Sequence, residues 1–155
     1  RNGYEIAVQI DADGQHDPAF VRQLMSPILK GDCDMTIGSR YVTLSSYKSS
    51  TGRRLGILFF SFLVSLITRQ RVMDTTSGFR AVSARVIELF ANQYPADYPE
   101  VDVLVRLHRS GFKFREIPVE MNKRQGGASS ITPIRSIYYM VKVSLALLVN
   151  LVRPR

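Results

Sequence analysis

The chain has 155 residues, 45% of them hydrophobic, with one cysteine, no tryptophan and 21 Lys and Arg against 13 Asp and Glu. That length fits one ordinary domain and the apolar share is that of globular proteins, so wholesale disorder is excluded. A lone Cys33 excludes a disulfide framework and any multi-cysteine zinc or iron–sulfur centre, and makes a reducing compartment the easier reading.

Tyr4–Ile10 is an apolar, β-branched-rich run that reads as a buried strand. No charged segment precedes an apolar one at this end, so no secretory signal is expected. Next comes Asp11-Ala12-Asp13-Gly14-Gln15-His16-Asp17-Pro18, in which Asp17 is a good helix N-cap and Pro18 a good first helical residue. Phe20, Val21, Leu24, Met25, Ile28 and Leu29 follow helical spacing. Pro27 should kink or shorten that helix and Gly31 should stop it. Met35–Gly38 reads as a second strand, so a parallel βαβ unit is expected. A first strand with no partner before it implies that the earlier half of the sheet is missing, and hence a C-terminal portion of a larger domain.

Tyr41–Gly52 is polar and serine-rich, a predicted loop. Leu55–Thr68 is a 14-residue run without charge between Arg53-Arg54 and Arg69. A bilayer crossing takes about 20 residues, so a buried or interfacial helix is expected, with the basic flanks favouring the interface. Asp74–Arg80 reads as a polar turn, Ala84–Asn92 as a helix, Tyr94–Pro99 as a loop, Glu100–Arg109 as a helix and Phe112–Met121 as a strand. The glycine- and serine-rich Lys123–Ser130 follows, then a long apolar helix over Ile134–Val152 interrupted by Arg135, Lys142 and Asn150. Residues 1–131 are expected to form the domain portion and 132–155 an apolar, basic-flanked helix, interfacial or oligomerising. Charge is segregated along this order. Residues 1–105 carry 11 basic and 11 acidic side chains, residues 106–155 carry 10 and 2, and the net +8 lies in the last third. Such a bias points to an anionic partner, with a plain solvated surface as the bland alternative.

Asp11 and Asp13, one residue apart after a strand, stand where α/β proteins place their sites. They can converge on one hard divalent cation, which would in turn take phosphate oxygens; an ordinary solvated turn is the alternative. A calcium-binding EF-hand loop fails, because its required sixth-position Gly and twelfth-position Glu are His16 and Arg22 here. An aspartate-nucleophile phosphatase is disfavoured by Gln15 and the surrounding residues.

Taken together, Ile10–Pro18, Gly38-Ser39-Arg40, Asp74–Arg80, Tyr98-Pro99-Glu100, Gly111-Phe112, Glu116-Ile117-Pro118-Val119 and Arg124-x-x-Gly127-x-Ser129 resemble, in order, the blocks of family 2 glycosyltransferases of the dolichyl-phosphate mannose synthase type. Within that family the likeness is greatest to bacterial enzymes that act on polyprenyl phosphates or cell-envelope polysaccharides. The resemblance implies a GT-A fold (Rossmann-like, α/β) lacking its N-terminal nucleotide-binding half. It also implies an inverting transfer from a UDP-, GDP- or dTDP-sugar to a polyprenyl-phosphate or glycan acceptor. By the same resemblance Asp11, Asp13 and Gln15 would hold Mg²⁺ or Mn²⁺, with Asp13 central to catalysis. Arg40, Arg124 and Ser129 would meet the donor diphosphate, and Ser77 and Gly78 would lie on the acceptor and sugar side. Ser130 stands where these enzymes often carry Lys. Glu100 and Asp102 are the candidate bases if the acceptor is a hydroxyl, which must lose a proton. His16 and His108 read as structural.

The basic last third and the two apolar helices fit a lipid-linked acceptor and an anionic membrane surface. The implied place is the cytoplasmic side, peripherally attached to the inner face of the cell membrane, with a homo-oligomer as an option. The rivals are a non-catalytic fragment and a nucleic-acid-binding module built on the basic third with Tyr138 and Tyr139. The second is disfavoured because those tyrosines sit in an apolar helix.

Overall fold

The structure, a computed structural model, describes residues 3–42, 51–94, 99–122 and 142–145. Four strands, β1 (Ile6–Gln9), β2 (Met35–Ser39), β3 (Arg80–Ser83) and β4 (Phe114–Pro118), form one sheet in the order β1-β3-β2-β4. Among the described residues, the helices α1 (Val21–Leu29), α2 (Thr51–Thr68), α3 (Ala84–Gln93) and α4 (Pro99–Arg109) cover it. This mixed sheet with helices on both faces is of the α/β class expected for part of a GT-A domain.

Two expectations about the sheet are corrected. First, β1 is not buried: it is an edge strand whose residues alternate between half-buried and exposed. Secondly, β1 and β2 run in the same direction but are not neighbours, because β3 lies between them and is antiparallel to both. β3 was not legible as a strand at all. It is four residues long, opens on an arginine, and is defined by its two partners. The parallel neighbour of β2 is β4, with Met35 opposite Phe114 and Ser39 opposite Pro118.

All five residues of β2 are buried, as a central strand covered on both faces requires. Met35 and Ile37 face a core shared with Phe60 and Val64 of α2, Val86 of α3 and Val101, Leu104 and Leu107 of α4. The opposite face packs Phe79, Ala81, Ile117 and Val119 against Leu24 and Ile28 of α1. Thr36 points to that second face, and its hydroxyl donates to the Leu24 carbonyl at 2.9 Å, which satisfies a buried polar group. Val143, on the described stretch of the C-terminal segment, joins the first core.

α2 starts at Thr51, within the predicted loop, and has two apolar faces of opposite fate. Ile57, Phe60, Val64 and the hydroxyl-bearing Ser61 and Thr68 recur at helical spacing and are buried. Leu55, Leu58, Phe59, Phe62 and Leu66 recur at the same spacing on the other side and are exposed. Two serines of α2, the buried Ser61 and the half-buried Ser65, direct the chain that follows. Ser61 Oγ donates to the Met73 carbonyl at 2.9 Å, and Ser65 Oγ accepts the Val72 N–H at 2.9 Å. Residues 72–74 are thereby held against α2, and the turn that follows starts from a fixed point. Among the described residues no helix is long and apolar enough to cross a membrane.

Candidate active site

The carboxyl end of β1 delivers Asp11 and Asp13 into a loop that folds back through Gly14, whose φ of 77° is open to glycine at no steric cost. Asp13 Oδ1 accepts the Gln15 N–H at 3.0 Å, a local turn that fixes the direction of its carboxylate. Gln15 O accepts the Asn122 N–H at 2.9 Å, and His16 pairs with Met121, so the loop is moored to the strand end beyond β4.

His16 is buried, and its Nδ1 accepts the Asp11 N–H at 3.0 Å. A nitrogen that accepts carries no proton, so the neutral ring is protonated on Nε2. That atom lies 3.9 Å from Asp11 Oδ2. The ring stacks on Phe79 with centroids 4.9 Å apart and 14° between planes. Burial pushes the His16 pKa below its ordinary 6.5, against the pull of Asp11 and Asp13.

The turn 74–79 faces this loop and is polar yet buried. Asp74 and Thr75 are fully enclosed, and Ser77 and Arg80 nearly so. Asp74 takes Arg40 in a two-pronged pair, Nε to Oδ2 at 2.8 Å and Nη2 to Oδ1 at 2.9 Å. The Arg40 side chain is only 4% exposed, and Nη2 also donates to Thr76 Oγ1 at 3.1 Å. Behind Asp74 stands Glu116 of β4, which accepts the N–H groups of Met73 at 2.9 Å and Asp74 at 2.7 Å. Burial raises the Glu116 pKa above its ordinary 4.5, and those N–H groups oppose the rise.

The sequence-derived site residues therefore fall into four groups. Asp11, Asp13, Gln15, Ser77 and Gly78 come together. The space that glycine leaves at position 78 is occupied: a Cβ there would stand 2.7 Å from Asp11 Oδ2 and 2.9 Å from Oδ1. Arg40 sits behind the turn, paired with Asp74 rather than projecting outward. Asp102 lies on α4 with a 2.6 Å ion pair to Arg106 one turn later. Arg124 and Ser129, with the glycines between them, lie outside the described residues, as do Tyr138 and Tyr139, while the backbone of Glu100 belongs to α4. The roles of Asp74 and Glu116 were missed. An acid followed by Thr-Thr-Ser-Gly reads as an exposed turn, and only the partner strand shows that it is enclosed. The available signal for Glu116 was its place in the predicted strand in the same alternation as Phe112 and Phe114.

Among the described residues no three His, Cys, Asp or Glu side chains gather to hold a metal ion by themselves. Two hard carboxylates in one loop, with Gln15 in the same loop, are the donor types that Mg²⁺ or Mn²⁺ takes, since these ions characteristically use one or two protein carboxylates and fill the remainder with phosphate oxygens and water. The Asp11 side chain is half exposed, so a ligand can reach it. A cavity of about 310 Å³ opens elsewhere, between β1 and Ile87, Phe90 and Tyr94 around α3, with an apolar lining.

No family model matches the chain. It is 30% identical over 152 residues to the polyprenol monophosphomannose synthase of Mycolicibacterium smegmatis, covering 93% of this chain and 56% of that protein. It is 29% identical over 121 residues to the UDP-N-acetylglucosamine–dolichyl-phosphate N-acetylglucosaminyltransferase of Methanococcus voltae, covering 76% of this chain and 48% of the other. Against the undecaprenyl-phosphate mannosyltransferase of Micrococcus luteus it is 29% identical over 134 residues, 84% of this chain and 54% of the relative. The chain thus spans about half the length of the curated relatives it matches.

Proposed function

Because the chain belongs to the family 2 glycosyltransferases, we propose that the whole protein is an inverting enzyme moving a sugar from a nucleotide-sugar donor to a polyprenyl phosphate. The observation that carries this reading is the contrast between acids. Asp74 and Glu116 are committed to protein partners, whereas Asp11 stands half exposed beside Asp13 at the tip of β1.

Asp11, Asp13 and Gln15 would hold Mg²⁺ or Mn²⁺. Such a cation supplies a Lewis acid that offsets the negative charge gathering on the departing nucleoside diphosphate. Asp13 is central because its carboxylate is set in direction by the Gln15 N–H before any ligand arrives. Arg124 and Ser129 would serve the diphosphate side, whereas Arg40, buried and held by Asp74, would brace the turn from behind instead of meeting the diphosphate. Ser77 and Gly78 would face the sugar and acceptor. A polyprenyl phosphate is already ionised and needs no base. A glycan hydroxyl would call on Glu100 or Asp102, and the pairing of Asp102 with Arg106 makes the phosphate acceptor the simpler demand.

A lipid-borne acceptor also accounts for α2. Its exposed ridge of Leu55, Leu58, Phe59, Phe62 and Leu66 lies between Arg54 at one end and Arg69 and Arg71 at the other, and the helix carries no acid. An apolar strip between arginines suits the inner face of an anionic membrane. Acyl chains take the strip and headgroup phosphates take the guanidiniums. The protein would therefore work as a peripheral enzyme of the cytoplasmic leaflet.

The test is sugar transfer by the full-length protein to polyprenyl phosphate across UDP-, GDP- and dTDP-sugars, with Mn²⁺ and with a chelator. One donor should support transfer, chelation should abolish it, and Asp13→Asn should lower turnover by about 10²–10³-fold, as for loss of one charge-stabilising group. Turnover that survives the chelator would defeat the metal role, and no transfer from any donor would defeat the enzyme reading.

A further inference from the structure

We infer that Gly78 is a positioning residue: the missing side chain makes a slot that fixes the carboxylate of Asp11, so the buried turn 74–79 sets the geometry of the carboxylate loop. The inference rests on the metal-binding reading of Asp11 and goes beyond it, because it names what aims that carboxylate.

Four contacts define the slot. The Asp11 backbone is held by its N–H donating to His16 Nδ1 at 3.0 Å. His16 Nε2 stands 3.9 Å from Asp11 Oδ2, beyond hydrogen-bond range, so the ring flanks the carboxylate without bonding to it. The stack of His16 on Phe79 fixes the imidazole and the residue after Gly78 as one unit. The fourth is Gly78 itself, where a Cβ would meet Oδ2, Oδ1 and Cγ of Asp11 at 2.7, 2.9 and 3.1 Å. All three lie inside van der Waals contact, so a methyl group and the present carboxylate cannot coexist.

The glycine is not explained by its backbone. Positive φ values are found at Gly3, Gly14, Gly31 and Gly111 but not at Gly78. Alanine is therefore allowed at 78 by conformation, and the three nearest atoms its Cβ would meet all belong to Asp11. The atoms that would have to yield are the end of a half-exposed side chain with two torsions, which can swing towards solvent at small cost to the fold. The turn cannot yield in the same way, because Asp74 anchors it to Arg40 and Glu116 anchors its start.

The experiment compares Gly78→Ala, Asp11→Asn and the wild-type full-length protein in Mn²⁺ titrations without donor, read by water-proton relaxation, alongside thermal unfolding. The inference expects Gly78→Ala to keep the unfolding midpoint within a few degrees while Mn²⁺ affinity drops by about 10–100-fold, the range for residues that orient a metal ligand. Wild-type affinity in Gly78→Ala, with affinity lost in Asp11→Asn, overturns the slot and leaves the metal reading standing. Equal affinity in all three overturns the metal reading and the slot with it. A Gly78→Ala protein that fails to fold also overturns the slot, since the carboxylate was to give way and not the fold.

Discussion

The two stretches that meet at Asp11 and Gly78 are both polar, and the fold treats them oppositely. In the turn 73–80 the charged groups are enclosed and paired: Asp74 with Arg40, the Met73 and Asp74 N–H groups with Glu116, and Arg80 Nε with the Ser77 carbonyl at 2.8 Å, while the buried Thr75 hydroxyl has no hydrogen-bond partner among the described residues. In the loop 11–16 the pairing runs through backbone N–H groups, to His16 Nδ1 and Asp13 Oδ1, and the Asp11 carboxylate stays half exposed. Burying a charge is tolerable only with a partner, so the turn must be self-sufficient. A loop whose backbone is tied down while a carboxylate remains accessible leaves that carboxylate open to a ligand from outside.

Breaking the turn should therefore have the largest effect on folding. Asp74→Ala leaves Arg40 buried without its carboxylate partner, and loss of about 3–5 kcal/mol is expected, read as a lowered unfolding midpoint of the full-length protein. The loop should behave in the opposite way. Asp13→Asn, which lowers turnover in the proposed enzyme, should change stability by no more than about 0.5 kcal/mol, as substitutions outside buried networks do. Comparable stability losses in the two variants would erase the distinction between turn and loop.

What the sequence disclosed follows the same division. Local chemistry was readable: Asp17 accepts the Ala19 N–H at 2.8 Å at a helical start, Gly31 and Gly111 follow α1 and α4 with φ near 75°, and Met35–Gly38 lies within the central strand. The carboxylate loop was readable too, because its residues are consecutive. Non-local pairing was not. β3 exists through its partners on either side, and the burial of Asp74 depends on Glu116, 42 positions later. A period-two or period-3.6 pattern cannot report such contacts, since each stretch meets its partner only after the sheet has formed.

A smaller effect sharpens the comparison by charge alone. The folded-state pKa of Glu116 is raised, so its contribution is fully present below the unfolded value of 4.5 and is lost as pH rises through the folded one. Glu116→Gln should flatten that part of the stability–pH curve. It should also lower stability at neutral pH by about 1–3 kcal/mol, because its amide NH₂ faces one of the two N–H donors that a carboxylate accepts. A curve with the same slope as wild type would show that Glu116 does not titrate there.

The smallest effect on folding should come from the outer face of α2. Phe62→Ser with Leu66→Ser removes two side chains that are 69% and 65% exposed, so the unfolding midpoint should barely move. By contrast, Phe60→Ala on the inner face deletes a ring that is 2% exposed and should cost about 3–5 kcal/mol. Membrane binding should rank the two changes the other way. Fully burying one such apolar side chain contributes about 1.5–3 kcal/mol, so even half-insertion of two predicts at least a tenfold loss of co-sedimentation with phosphatidylglycerol vesicles. Weak binding to neutral vesicles is expected for both proteins, because Arg54, Arg69 and Arg71 need anionic headgroups to answer them. Undiminished binding by the double variant would remove the ridge from the membrane and leave its five apolar side chains without a role in this reading.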